Sequence, residues 1–495
     1  MRKRSPVASD LISAGFRFIV DGMLVPLSVC AGASWRFETL FPSKLQSYVA
    51  AMVVGALVLP SLSYIGGLYS AASARLEHWV RVRWFLFNLG VTILVLLAIG
   101  SVNLDARVGR GVLLYGVFIL AVLYFTHHFL LRLHFRGFRM RVACLVSSAD
   151  DELAAGILSQ SSPQVEVVGL IAVSETFQPT LELPLLAKLK DIESIKLPAS
   201  VNTILVRDQH LLMPSLTTLL RRWRYQGMDI MSLADACETV LHAVPMSLVT
   251  ESWLFRASNQ SGLLYIKKLK RLFDVTVALL CLLALWPALL IGILVVRMCS
   301  AGPIFFKQTR MGRLGRKFVI YKLRTMRLDA EKDGPQWASS GKDHRVFPAG
   351  AFLRRYRIDE IPQLFNILKG DMSFVGPRPE RPEFIDQLEK EIPFYLERLL
   401  VQPGLTGWAQ VRYPYGSNME DACRKHELDL YYIKHMSLLL DFFVLLETTR
   451  TVLQGGNRKP DAYIKAMHQW NVLESASDSP SHLDLSQLQP VLTKP

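Results

Sequence analysis

The sequence predicts a membrane protein of mixed class. It reads as an N-terminal four-helix transmembrane unit, a Rossmann-like α/β domain, and a C-terminal mixed α/β domain carrying a re-entrant membrane helix. Three observations lead there. Long uncharged runs fill the first quarter of a chain that is 51% hydrophobic, with a mean hydropathy of +0.26, which is too apolar for an ordinary soluble protein. Short β-branched runs alternate with helix-like stretches between Arg141 and Leu233. A further apolar run is interrupted by Pro287 and is basic on both flanks.

The transmembrane unit is assigned to residues 1–135. Its four apolar runs are Phe18–Ser34, Tyr48–Tyr69, Trp84–Val102 and Val112–Leu131, each near the roughly 20 residues that a helix needs to cross a bilayer. Arg and Lys weigh the MRKR start, the Arg75–Arg83 loop and the RLHFRGFRMR exit. The positive-inside rule then puts both ends of the unit in the cytoplasm. No small-residue cleavage site follows the first run, which therefore reads as an uncleaved span. Asp21 interrupts that run and is expected to pair with Arg17 at the interface. His127 and His128 have no third ligand in the pattern and read as interfacial histidines, apolar body in and polar tip out.

Residues 141–233 carry the runs VACLVSS, VEVVGLIAV and NTILVR, the alternation of a small parallel-sheet domain. Where a dinucleotide site wants glycines after the first strand, this chain has Ser147-Ser148-Ala149-Asp150-Asp151. The acidic pair would also repel a pyrophosphate, so a Rossmann-like shape without a nucleotide site is expected. Residues 234–262 read as a connector.

A C-terminal domain over residues 263–455 opens with the re-entrant helix, 272–299. Lys267, Lys268, Lys270 and Arg271 precede it, and Arg297, Lys307, Arg310, Arg313, Arg316 and Lys317 follow. Positive charge on both sides implies that both sides are cytoplasmic, and Pro287 removes a backbone donor where the helix would turn back. FVIYKLRTM alternates like a strand after a glycine-rich basic turn. FIDQLEKEIPFYLERLLV and LYYIKHMSLLLDFFVLLETTRTVL have helical periodicity with charges such as Asp441 and Glu447 inside apolar runs. They read as helices lying in the membrane interface. Residues 456–495 are polar and read as a loosely ordered tail.

The formal charge of +14 suits an anionic membrane surface, because the basic residues flank apolar segments. No recognition helix or aromatic RNA-binding signature supports a nucleic-acid partner. The six cysteines show no CxxC and no metal spacing, and read as packing residues in a reducing compartment.

The chemistry concentrates between Gly350 and Glu380. Asp359 and Glu360 are adjacent, Pro362 follows, Arg354, Arg355 and Arg357 precede, and Gly376-Pro377-Arg378-Pro379 forms a rigid turn. Proline suits the first position of a helix, so one helix should end near Ile358 and another start at Pro362. The acid pair would then sit at a helix N-terminus, which favours anions. Alone, such a pair usually caps a helix and such arginines are usually solvated. Together they look like a site for phosphate chemistry with a divalent metal.

KRLFDVTVALL, QTRMGRLGRKFVIYKLRTM, RYRIDEIPQLFNILKGDMSFVGPRPERPEF, PGLTGWAQV and DLYYIKHMSLLLD resemble the bacterial polyprenyl-phosphate sugar-1-phosphate transferases. The resemblance covers roughly Ile266–Gly455, and the preceding regions are similar to the large members of these monotopic phosphoglycosyl transferases. It implies transfer of a sugar 1-phosphate from a nucleoside-diphosphate sugar, with a UDP-hexose expected, to polyprenyl (undecaprenyl) phosphate. This would start exopolysaccharide or O-antigen assembly at the cytoplasmic face of the bacterial inner membrane. By the same resemblance Asp359 is the nucleophile, Glu360 binds magnesium (Mg2+), and Arg354 and Arg378 contact phosphate. Pro287 marks the break of the re-entrant helix, and Arg310, Lys322, Arg324 and Gln410 fall in the substrate-binding motifs. The chain departs from the family in lacking the glycine-rich turn of the α/β domain and in its HRVFPAG segment. Nucleotide sugar, polyprenyl phosphate and membrane lipid are the implied partners, with a homodimer and polysaccharide assembly proteins as further ones. The competing reading is a non-catalytic membrane scaffold of a polysaccharide assembly system.

Overall fold

The computed structural model describes residues 10–39, 43–65, 85–95, 97, 108–135, 140–161, 165–174, 177, 179, 183–188, 197–198, 200–261, 264–330, 332, 344–413 and 418–454. Two compact units emerge, one joining the N-terminal helices to the C-terminal domain and the other built mainly from residues 139–249. The tail assigned to 456–495, the Arg75–Arg83 loop and the side chain of His128 lie outside the described residues.

In the first unit, α1 (Asp10–Phe37) packs on α2 (Val49–Ile65) and on α4 (Arg110–Phe135). Small residues allow the approach. A Cβ on Gly22 would meet the Ala56 carbonyl oxygen at 2.8 Å, and one on Gly32 would meet the Gly116 nitrogen at 2.8 Å. Of the third predicted run, the structure describes α3 (Phe85–Val95), whose Phe85 stacks on Tyr124 with ring centroids 4.3 Å apart. Gly15–Phe37, Leu45–Tyr64 and Lys268–Cys299 are long and apolar enough to cross a membrane, whereas Phe85–Val95 and Gly111–His127 are shorter apolar helices.

The histidine expectation needs correcting. His127 is nearly enclosed, with its ring edge-on to Phe16 and its Nδ1 3.8 Å from Asp21 Oδ1. Asp21 itself is fully buried. The polar tip points into the bundle because a buried carboxylate there draws it in.

The second unit is a five-stranded parallel sheet, among the described residues, in the order β3-β2-β1-β4-β5. Its strands are β1 (Met140–Val146), β2 (Val165–Ala172), β3 (Leu185–Lys188), β4 (Thr203–Val206) and β5 (Asp229–Ser232). Strand order reverses between β1 and β4, which is where such sheets hold ligands. Here the chain's own polar groups meet at the ends of β1 and β4. Asp151, on the first turn of α5 (Ala149–Ser161), accepts from the Ser147 N–H at 2.9 Å and from Arg207 Nη1 at 3.0 Å. Residues 234–262, read as a connector, are largely helical. They form α7 (Leu233–Leu241), which packs on α5 within this unit, and α8 (Glu251–Ser261), which packs in the other. The small residues Ala234, Ala236 and Cys237 make α7 a buried helix.

The C-terminal domain begins with α9 (Leu264–Cys299), which runs through Pro287 as one helix. Pro287 therefore does not divide it into two, although the expected break lay there. Both arms of α9 pack on the same domain. Lys270, Asp274 and Ala278 are buried on the first arm and Gly292 and Val296 on the second, each set at four-residue spacing. Between them Leu283 to Pro287 is exposed on every side, Leu283 at 74%. Beyond α9 come an antiparallel hairpin of β6 (Phe305–Met311) and β7 (Lys317–Leu323), then α10 (Pro348–Arg355) and α11 (Gln363–Lys369). The parallel pair β8 (Ser373–Val375) and β9 (Gly404–Thr406) is separated by α12 (Pro382–Glu391). Helices α13 (Trp408–Arg412), α14 (Met419–His435) and α15 (Leu438–Leu453) complete it.

The end of α14 departs from the interfacial expectation for the LYYIKHMSLLLDFFVLLETTRTVL stretch, which also covers α15. Every residue from His426 to Ile433 is buried, so this part of α14 is interior and does not lie in the interface. Its apparent amphipathicity arises from buried polar groups that find protein partners. Tyr432 Oη donates to Asp441 Oδ1 at 2.7 Å, and Asp441 in turn meets Lys270.

Candidate active site

The acid pair lies in a 3-10 turn, Ile358–Glu360, between α10 and α11, and Pro362 caps the latter. The first helix thus ends at Arg355, three residues before the expected point, because Arg357 adopts the left-handed conformation at φ 58°. That conformation disfavours a residue with a Cβ, and such strain recurs where a site over-determines the backbone. Here the reversal swings Arg357 back onto the acid it precedes, its Nη1 2.9 Å from Glu360 Oε2.

Two more cations converge on Glu360. Lys322 Nζ, from β7, donates to Oε1 at 2.9 Å, and Arg378 Nη2, from the proline turn, donates to the same oxygen at 3.0 Å. Burial alone would raise the Glu360 carboxyl, but Lys322, Arg378 and Arg357 hold it well below the usual carboxylate range. Asp359 is in the opposite state. Burial, reinforced by the neighbouring Glu360 charge, lifts its carboxyl to about 6 against the pull of Lys322, Arg354 and Arg357. Asp359 is thus less acidic than a free aspartate, because desolvation outweighs the local dipoles, yet it is still mostly ionised at neutral pH. Burial also lowers the Lys322 ammonium, opposed by Glu360 and assisted by Arg378.

The proline turn is placed by glycines. A Cβ on Gly404 or Gly407 would collide with the backbone of Gly376, so β9 and the following turn can press against the segment carrying Arg378. Of the residues singled out from sequence, the fold gathers Asp359, Glu360, Lys322 and Arg378, with Arg354 exposed on α10 and contributing its field. Arg310 is set back, with Nη1 donating to the Pro379 carbonyl at 3.1 Å. Arg324 lies beyond the end of α9, where Nη2 donates to the Ser300 carbonyl at 2.8 Å. Gln410 sits on α13, its amide nitrogen buried with no hydrogen-bond partner among the described residues. Pro287 is exposed in mid-helix. Arg357, left out of the expected substrate contacts, is a direct partner of Glu360, and its i,i+3 spacing was the available signal.

Among the described residues no group of three or more His, Cys, Asp or Glu could hold a metal by itself. Magnesium does not require one, since it is commonly bound by one or two carboxylates plus substrate phosphates. Glu360 would supply one such carboxylate, its oxygens already accepting from Lys322, Arg357 and Arg378.

A family model described as bacterial sugar transferase matches residues 265–455. The UDP-N-acetylgalactosamine-undecaprenyl-phosphate N-acetylgalactosaminephosphotransferase of Aeromonas hydrophila is 45% identical over 187 residues, 38% of this chain and 44% of that one. A UDP-glucose:undecaprenyl-phosphate glucose-1-phosphate transferase of Xanthomonas campestris pv. campestris is 41% identical over 186 residues, 37% of this chain and 38% of the relative. An enzyme of that same name from Caulobacter vibrioides is 38% identical over 219 residues, 44% of this chain and 81% of its own. The chain thus spans less than half the length of the first two relatives.

Proposed function

This chain belongs to the bacterial sugar transferase family, and from that premise we propose that it transfers a sugar 1-phosphate from a nucleoside-diphosphate sugar to a polyprenyl phosphate. Names of the relatives favour a uridine diphosphate hexose and undecaprenyl phosphate. The observation that carries this reading is the contrast between two adjacent carboxylates. Glu360 is held ionised by three cations, while Asp359 is buried and titrates near 6. Neighbouring acids whose environments push them apart commonly take different roles.

Asp359 is the nucleophile in this proposal. Its carboxylate oxygen attacks the sugar-bearing phosphorus, the bond to the bridging oxygen breaks, and nucleoside monophosphate leaves. The resulting acyl phosphate is attacked by a phosphate oxygen of the lipid, which forms the polyprenyl diphosphate sugar and restores Asp359. One displacement is thereby split into two. Lys322, Arg354, Arg357 and Arg378 hold the charge spread over the transferring group. Magnesium at Glu360, when bound, neutralises the diphosphate.

The same reading makes α9 a re-entrant helix that enters and leaves by the cytoplasmic leaflet of the inner membrane. The residues near both of its ends pack on one domain while the apolar middle, Leu283 to Pro287, is bare on all sides. That brings the site to headgroup level, where a lipid phosphate and a soluble nucleotide sugar can meet.

The test is release of uridine monophosphate from UDP-glucose and UDP-N-acetylgalactosamine by the full chain in membranes with undecaprenyl phosphate. Asp359→Asn should abolish it, because an amide cannot form the acyl phosphate. Wild-type protein given donor without lipid should carry a phosphosugar adduct at Asp359. Near-normal turnover by the Asn variant would exclude the two-step route.

A further inference from the structure

The turn Pro377–Glu380 cannot support itself. Two of its four residues are prolines without an N–H, and yet each of its four carbonyl oxygens has a donor. The N–H of Gly404 serves Pro377 at 2.9 Å and that of Met311 serves Glu380 at 2.9 Å. The middle two depend on arginine side chains, Arg398 Nη2 donating to the Arg378 carbonyl at 3.0 Å and Arg310 Nη1 to that of Pro379 at 3.1 Å.

Arg398 is built in more firmly than a surface cation. It is 7% exposed and lies over the Tyr395 ring, and its Nη2 also donates to Asp429 Oδ2 at 3.0 Å. Nη1 donates to the Tyr395 hydroxyl and lies 3.9 Å from Glu380 Oε1. Asp429 comes from the buried stretch of α14, His426 to Ile433, so the guanidinium is anchored in the core and reaches outward to one backbone oxygen. That oxygen belongs to the residue whose side chain meets Glu360.

We propose that Arg398 is a positioning residue for the transfer reaction: anchored by Asp429, it fixes the backbone at Arg378 so that the Arg378 guanidinium meets Glu360 and the transferring phosphate. It touches no reacting atom. This rests on the transferase reading given above. Lysine cannot replace it, because one ammonium cannot stay on the Tyr395 hydroxyl, as Nη1 does, while also serving the Arg378 carbonyl and Asp429, as Nη2 does.

A double-mutant cycle of Arg398→Lys and Arg378→Ala in the full membrane-bound chain tests this. Losing a hydrogen bond from a charged group should lower kcat/KM by about tenfold or more in the Arg398→Lys variant. In the Arg378→Ala background the same change should cost less than about twofold, since nothing is left to position. Losses that multiply, or an Arg398→Lys enzyme as active as wild type, would overturn the proposal. If Arg398→Lys does not accumulate as folded protein, Asp429→Asn, which keeps an oxygen for Arg398, enters the same cycle with the same expected non-additivity. Hydrogen exchange supplies an arm independent of turnover. Peptides covering residues 373–381 should exchange faster in Arg398→Lys, while those of β1 and β4 do not change. Absence of turnover by wild type on both uridine diphosphate sugars would refute the transferase reading. Unchanged exchange at 373–381 would refute the clamp whatever the activity.

Discussion

Lys270 Nζ lies 2.5 Å from Asp441 Oδ2, in a contact where the two side chains are 10% and 0% exposed. The pair joins the first arm of α9 to α15, and Tyr432 completes it from α14. Four residues on, Asp274 Oδ1 accepts from the Ser373 hydroxyl at 3.0 Å and from the Phe374 N–H at 2.9 Å. The first arm of α9 is therefore tied to the C-terminal domain by charge as well as by apolar packing.

Removing one partner of a buried pair leaves the other uncompensated. Lys270→Met should destabilise the protein by about 3–5 kcal/mol. The double variant Lys270→Met with Asp441→Leu should recover most of that loss, since no stranded charge remains. Thermal unfolding of the detergent-solubilised chain measures both. A single variant within about 0.5 kcal/mol of wild type would mean that the pair contributes nothing to holding the arm.

The burial of Asp359 predicts the acid limb of the pH profile. Attack requires the carboxylate, and with its carboxyl near 6 the group is mostly ionised at neutral pH. Turnover should fall about tenfold per pH unit below 6. Stability runs the other way. An acid raised by folding favours the folded state while protonated, and that contribution disappears as pH rises through 6. Asp359→Asn should then be more stable than wild type at pH 8, by up to ~3 kcal/mol, and equal to it near pH 4. Equal stability at both pH values would show that Asp359 is not desolvated.

Sidedness of α9 can be read from its ends. Cys299 is exposed at the far end and Lys268 at the near one. In a background with the other native cysteines replaced, Cys299 and a cysteine introduced at Lys268 should both react only with reagents on the cytoplasmic side. Pro287→Ala restores the missing donor and favours a straight helix, which at ~1.5 Å per residue is long enough to span. That variant should lose activity, with part of the population labelled at Cys299 from outside. Labelling of wild-type Cys299 from outside would end the re-entrant reading.

Local sequence was enough for whatever depends on local chemistry. Apolar runs disclose the three helices, among the described residues, that are long and apolar enough to cross a membrane, because a bilayer demands length and the absence of charge. Alternating β-branched runs disclose the parallel sheet, and the segment from Gly350 to Glu380 discloses the acids and the proline turn. What the sequence could not disclose are contacts between distant residues, since spacing carries no information about which surfaces meet. Lys322 reaches Glu360 across 38 positions and Lys270 reaches Asp441 across 171. Periodicity made α14 look interfacial, because a pattern reports which residues are polar and not whether protein or water will satisfy them. Only the packed neighbours decide that, as they do for His127 against Asp21. The opposed states of Asp359 and Glu360 have the same origin. The two acids are adjacent in sequence, and it is tertiary burial that desolvates one while three cations, each from a different part of the fold, compensate the other.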